Sequence, residues 1–212
     1  MKLSYISMFL VILTFEEIFV NICIADPIDG FTSVPFTLDL QKPYNKPIGQ
    51  RYSNLGGVRR FWVFSNDKPF KLNTDTKPRT EAHVLGQDYT SGVHQFEGHV
   101  YIPRGTSGVS IMQIFGGEVS ASTLQLRVYN GEIKRYREEV IESNVYNRWL
   151  RLNVIHNADE GQITIFINGV QKLEVADRGP GTKYFKFGVY TQNAPSQRME
   201  SRWRKVKIYK KM

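Results

Sequence analysis

Apolar and polar residues alternate with period two along most of this chain, and that pattern restricts it to a stack of β-strands. The clearest case is Lys183 to Gln192, K-Y-F-K-F-G-V-Y-T-Q. As a strand it turns Phe185, Phe187 and Val189 to one side and Tyr184, Lys186, Gly188, Tyr190 and Gln192 to the other. Thr123 to Tyr129 behaves alike, with Leu124, Leu126 and Val128 inward and Gln125, Arg127 and Tyr129 outward. Similar runs cover 58–65, 79–85, 94–102, 108–116, 149–156, 162–167, 170–175 and 199–209. Turn signals separate them, among them Gly56-Gly57 and Asn66 to Pro69, while Asn130-Gly131 and Asn168-Gly169 predict tight hairpins of the primed type. The Pro-rich, weakly patterned stretch 26–47 reads as a leading strand that wraps the body. With roughly a dozen short strands and no helical periodicity, the chain is predicted to be all-β, a two-sheet β-sandwich of jelly-roll type.

The 212 residues suit one domain, and 41% hydrophobic with 13% aromatic content suffices for a core and excludes general disorder. At the start stand Lys2, an apolar run from Met8 to Phe15, an acidic interruption at Glu16 and Glu17, and a second apolar run from Ile18 to Ala25. With Cys23 and Ala25 as the small residues before the cut, residues 1–25 read as a signal peptide. The acidic pair interrupts what a membrane span would need as about 20 apolar residues, so no transmembrane segment is expected. Residues 26–212 would then be the domain, expected as a monomer in the secretory pathway, destined for the extracellular space, the cell wall or the vacuole. The single cysteine would leave with the leader, so strand pairing and burial, not disulfides, must hold the domain together. Taking Lys2, Glu16 and Glu17 from the 28 basic and 20 acidic side chains leaves 27 and 18, a net +9 that favours anionic partners.

The polar side of the 183–192 strand carries two phenols, an ammonium and an amide in a row, with a glycine clearing space between them. Such a row suits a shallow surface for an anionic, hydroxylated ligand, although a solvated sheet cover also uses Tyr and Lys. On Arg79 to His83, period two sets Arg79, Glu81 and His83 on one face; on Ser110 to Phe115, Gln113 shares a face with Phe115. Together with Tyr184, Lys186, Tyr190 and Gln192, and with Arg127 from a further strand, they are expected to floor a groove. The loop bearing Lys68, Lys71 and Lys77 is expected to give it a basic rim. Converging cations of this kind suit a polycarboxylate such as citrate, or an acidic polysaccharide. Histidine and cysteine spacings give no metal site and no glycine loop cradles a phosphate, so neither metal nor cofactor is expected. His156, at a strand end, reads as a turn or core histidine. The basic tail Arg202 to Lys211, with Trp203 and Tyr209 interleaved, mimics a nucleic-acid surface in composition. Trp203, Val206 and Ile208 nevertheless fit the core side of a closing edge strand, so its charges read as solvated and no nucleic-acid partner is expected.

P-R-T-E at Pro78 to Glu81, Q-I-F at Gln113 to Phe115 and Y-F-K-F-G-V-Y-T-Q at Tyr184 to Gln192 resemble, in order and spacing, the three signature strands of the alginate lyase jelly-roll family of polysaccharide lyases. Q-K-P-Y (Gln41 to Tyr44), H-Q-F-E-G (His94 to Gly98), L-R-V-Y-N-G (Leu126 to Gly131) and M-E-S-R-W (Met199 to Trp203) resemble the plant citrate-binding proteins within that superfamily. The resemblance implies the concanavalin-like alginate lyase fold and, for an active member, β-elimination on a glucuronan- or alginate-like polyuronate. In that chemistry the substrate carboxylate must be neutralised before its α proton can leave. By resemblance Arg79 and Gln113 match the positions that grip the carboxylate, and Tyr190 matches the phenol that acts as acid and in some members also as base. Lys186 is expected to lower the Tyr190 pKa by proximity. Two departures stand out: Phe115 replaces the histidine of the Q-I-H motif, and His83 stands where the family carries a second arginine. Either the lyase chemistry is lost, or another imidazole, His83 first and His99 second, supplies the role, or a tyrosine serves as both base and acid while the remaining donors neutralise the carboxylate.

Overall fold

In a computed structural model of the chain, which describes residues 26–118 and 120–212, the alternating segments pair into two antiparallel sheets. The expected leader, 1–25, lies outside the described residues. The first strands are β1 (Phe31–Val34), β2 (Thr37–Gln41), β3 (Tyr52–Leu55), β4 (Val58–Phe64) and β5 (Arg79–Leu85). Then follow β6 (Val93–Tyr101), β7 (Val109–Phe115), β8 (Ser122–Tyr129), β9 (Glu132–Arg135) and β10 (Val140–Glu142). The last are β11 (Trp149–Asn157), β12 (Gln162–Ile167), β13 (Val170–Ala176), β14 (Tyr184–Thr191) and β15 (Arg198–Lys211). The helical content among the described residues is a single 3-10 turn at Ile48–Gln50. No helix among them is long and apolar enough to cross a membrane.

One sheet has the order β13-β12-β11-β6-β15-β4-β3 with β1 joined to β15, and the other has the order β10-β9-β8-β7-β14-β5-β2. The leading segment is therefore shared: β1 extends one layer and β2 borders the other, which is the wrapping that its weak pattern suggested. Both Asn-Gly pairs take left-handed φ at each residue, Asn130 50° with Gly131 86° and Asn168 53° with Gly169 82°, as a primed hairpin requires. One expectation fails. β15 is not an edge strand; it lies between β6 and β4, so its basic residues sit in the middle of a sheet.

The two layers bury Phe61, Phe96, Phe185, Phe187, Met112 and Trp203 completely between them. Such side chains each contribute about 1.5–3 kcal/mol of burial. Their rings meet edge to face, Phe61 with Phe187 at 5.5 Å, Phe96 with Trp203 at 5.6 Å and Phe187 with Trp203 at 5.4 Å, the arrangement that aromatic quadrupoles favour. Trp203 Nε1–H finds its partner in Ser201 Oγ at 3.0 Å, and the Ser201 hydroxyl in turn donates to the Gly188 carbonyl at 2.7 Å. That relay ties β15 to β14 across the interior and fixes how β14 presents its other face.

Candidate functional site

The side of β14 turned away from the core forms the floor of a cavity of about 400 Å³. That size suits a small ligand or a few sugar units. Strand register brings the predicted residues together: Tyr190 lies opposite Arg79 on β5, and Lys186 lies opposite His83 on β5 and Gln113 on β7. Of the residues expected in the groove, Arg79, Gln113, Tyr184, Lys186 and Tyr190 line the cavity. Lys71 and Phe70 supply its rim, so one of the three expected rim lysines is used; Lys77 instead donates to Asn193 and Lys68 borders a separate depression.

The other four predicted residues are placed elsewhere, each for a visible reason. Glu81 is 1% exposed and lies beneath the floor, where its carboxylate receives Lys186 Nζ at 2.5 Å, Arg79 Nη1 at 3.6 Å and a short hydrogen bond from Gln113 Nε2. β14 separates β5 from β7, and the Glu81–Gln113 bond crosses it where it offers Gly188 and hence no side chain. Arg127 donates its Nε–H to Gln125 Oε1 at 2.8 Å and rests on the Tyr136 ring, so Gln125, not Arg127, faces the cavity. Gln192 folds back onto the Tyr190 carbonyl at 3.2 Å. His83 is held under Tyr184, ring centroids 4.0 Å apart, with its Nε2 3.9 Å from Asp88.

No imidazole lines the cavity. His99 belongs to β6 in the opposite sheet, so the second candidate for the missing motif histidine is excluded by topology. His156 is fully buried, its Nδ1 2.9 Å from the Tyr89 hydroxyl and its Nε2 3.1 Å from Asp177, which is a core role. No group of histidine, cysteine and acidic residues suited to a metal occurs among the described residues. Phe115 instead stacks on Tyr184 at 5.0 Å and forms an apolar wall with it.

The electrostatics of the floor follow from Glu81. Burial pushes the Lys186 ammonium below its ordinary pKa while Glu81 opposes that shift, and Lys186 also donates to Gln41 Oε1 at 2.8 Å. Its charge is thus committed to the protein and is not directed at Tyr190 as expected from sequence. Arg79 differs. Its guanidinium lies 3.8 Å over the Tyr190 ring and makes no hydrogen bond among the described residues, only the long contact to Glu81. An arginine has five N–H donors in a rigid fork that matches a carboxylate. Gln113 Oε1 is filled by Ser122 Oγ and Gln125 Nε2, each at 3.0 Å, so this amide is locked in orientation. Gln41, Ser122 and Gln125 were missed from sequence. Gln125 was legible as an outward residue of β8, but its longer, charged neighbour Arg127 drew the assignment.

Burial lowers the pKa of His83, His94, His99 and His156. An unfolded histidine binds its proton near 6.5, whereas these bind it only at lower pH, so stability is complete above about pH 6.5 and is lost as pH falls through the folded values. Between pH 7 and 5, above the range of the carboxylates, stability is therefore expected to fall. Urea midpoints measured across that interval check it; a flat or rising profile contradicts it.

The alginate lyase family model matches residues 36–210. The chain belongs to the alginate lyase family. A citrate-binding protein of Hevea brasiliensis is 55% identical over 194 residues, covering 90% of this chain and 82% of that protein. Among solved structures, the alginate lyase of Corynebacterium sp. superposes with TM-score 0.62 at 15% identity, covering 77% of this chain and 82% of that one. Alginate lyase A1-II' in complex with substrate superposes with TM-score 0.65 at 14% identity, covering 82% and 93%. These superpositions establish the jelly-roll sandwich of the alginate lyase family as the fold of this member.

Proposed function

We propose that the groove binds the carboxylate of a small polycarboxylate or an acidic sugar and does not cleave it. The observation that carries this reading is Arg79, a guanidinium in the cavity wall whose donors are not spent within the protein. A carboxylate set against Arg79 would lie beside Tyr190, over the apolar wall of Phe115 and Tyr184, with Lys71 at the rim. The 55% identical citrate-binding protein and the lyase solved with its substrate both support a carboxylate ligand. A leader at residues 1–25 would deliver such a binder to the wall, the extracellular space or the vacuole.

A second reading, β-elimination of a polyuronate, is favoured by Tyr190, Gln113 and Arg79 sharing one cavity. It requires the Tyr190 phenol to act as both base and acid, because the cavity offers no imidazole. Titration calorimetry with citrate and with a glucuronate oligomer tests binding. Arg79→Gln should weaken whichever ligand binds by roughly tenfold or more, the value of a charge-assisted hydrogen bond. Absorbance of an unsaturated sugar product, present with the native chain and gone in Tyr190→Phe, would replace the binding reading with the lyase one.

A further inference from the structure

The eight-stranded sheet carries a second cationic surface on the side away from the core. Val100, Leu150 and Trp203 are fully buried, so their neighbours Tyr101, Trp149 and Arg202 point outward. Register sets Arg60, Arg202, Tyr101 and Trp149 side by side on β4, β15, β6 and β11, with Arg204, His99 and Arg151 forming the adjacent row. Each ring meets a guanidinium: Arg202 is 5.1 Å from Tyr101, Arg204 is 4.2 Å from Trp149, and Arg60 is 5.2 Å from Trp62.

The charges are organised and not merely solvated. Glu200, buried at the centre, receives Arg60 at 2.8 Å, Arg198 at 2.5 Å and Arg202 at 2.7 Å, while these arginines keep 37–41% of their side chains exposed. One carboxylate cannot neutralise three guanidiniums, so the cluster retains positive charge with its orientations fixed. Arg204 has no ion pair among the described residues, and its buried Nε has no hydrogen-bond partner. Next to it a bulge in β15 against β6 puts Lys205 outward with φ 51°, a left-handed conformation that a lysine adopts only where the surroundings enforce it.

We propose that this face, centred on Arg202 and Arg204, is a second binding surface for an acidic polysaccharide, separate from the groove because it lies on the other sheet. Adjacent strands lie about 4.8 Å apart, so Arg60 and Arg202, on neighbouring strands, stand at close to the length of a sugar ring. Their forks suit repeating carboxylates and hydroxyls. The half-buried rings are flanked by these guanidiniums, which leaves no bare aromatic platform of the kind that single-stranded nucleic acid stacks upon.

Native electrophoresis of the full chain through gels containing polygalacturonate tests this proposal. Arg204→Gln combined with Lys205→Gln breaks no ion pair and should weaken retardation roughly tenfold, with an unchanged melting temperature. The same drop should appear when the two substitutions are made in an Arg79→Gln background, where the groove's own grip on carboxylates is already removed. The proposal is overturned if the native chain is not retarded at low salt, or if retardation follows Arg79 and not Arg204 and Lys205. Equal retardation in neutral dextran, or tighter binding of a single-stranded oligonucleotide at the same salt, also overturns it.

Discussion

Glu81→Ala should lower the unfolding free energy by about 3–5 kcal/mol, the loss expected when one partner of a buried charged cluster is removed. Glu81 is 1% exposed and Lys186 2%, so neither has water to fall back on. Without the carboxylate, the Lys186 ammonium retains only the Gln41 oxygen, and burial, which already lowers its pKa, would drive it to neutrality. Gln113 would lose the acceptor that takes its short hydrogen bond, and Arg79 the anion that faces it. The loss should therefore appear twice, as instability in urea and as weakened carboxylate binding in the fraction that still folds. The pair Glu81→Ala with Lys186→Met separates the causes: an apolar replacement of both charges should recover most of the stability and none of the binding. A single variant that loses less than about 1 kcal/mol would mean that Lys186 finds solvent and that the floor is not a closed ionic unit.

Glu81 also illustrates what a sequence conceals. Alternation identified the face on which Arg79, Glu81, Gln113, Lys186 and Tyr190 sit, and the alginate lyase signatures gave the order of the strands that carry them. Period two reports a side, however, and not a depth. Arg79 and Glu81 share a face, yet one opens to the cavity and the other lies under it, because Glu81 is short enough to be covered by the side chains it neutralises. His83 was likewise on the right face and in the wrong place, since the neighbouring strand brings Tyr184 over it. The position of β15 was misread for a related reason. A run of arginine and lysine resembles an exposed edge, and only the pairing partners β4 and β6, remote in sequence, reveal that the strand lies at the middle of a sheet, where its Arg198 and Arg202 converge on Glu200. Hairpins, by contrast, were legible because Asn-Gly specifies its turn locally.

Gly188→Ala is expected to cost about 3–4 kcal/mol, combining left-handed backbone strain with overpacking. The φ of Gly188 is 138°, and an added Cβ would stand 2.5 Å from the Thr80 carbonyl oxygen, 2.8 Å from Glu81 Cα and 3.1 Å from the Phe61 ring. Two of these obstacles are backbone atoms of β5, which is itself paired with β2 and β14 and cannot retreat without opening a ladder. The register of β14 against β7 shifts between Phe187 and Tyr190, and the Gly188 carbonyl accepts from the Ser201 hydroxyl, so β14 is held close to β5 from the core side as well. Gly169→Ala supplies the comparison, with φ 82° but no atom within 4 Å of the added carbon, so only the conformational part of about 1 kcal/mol should appear. Urea unfolding of the two variants side by side measures the difference. Equal losses would mean that β5 yields to the extra methyl, and the close approach of the two strands would then no longer explain why a glycine stands at the centre of the groove.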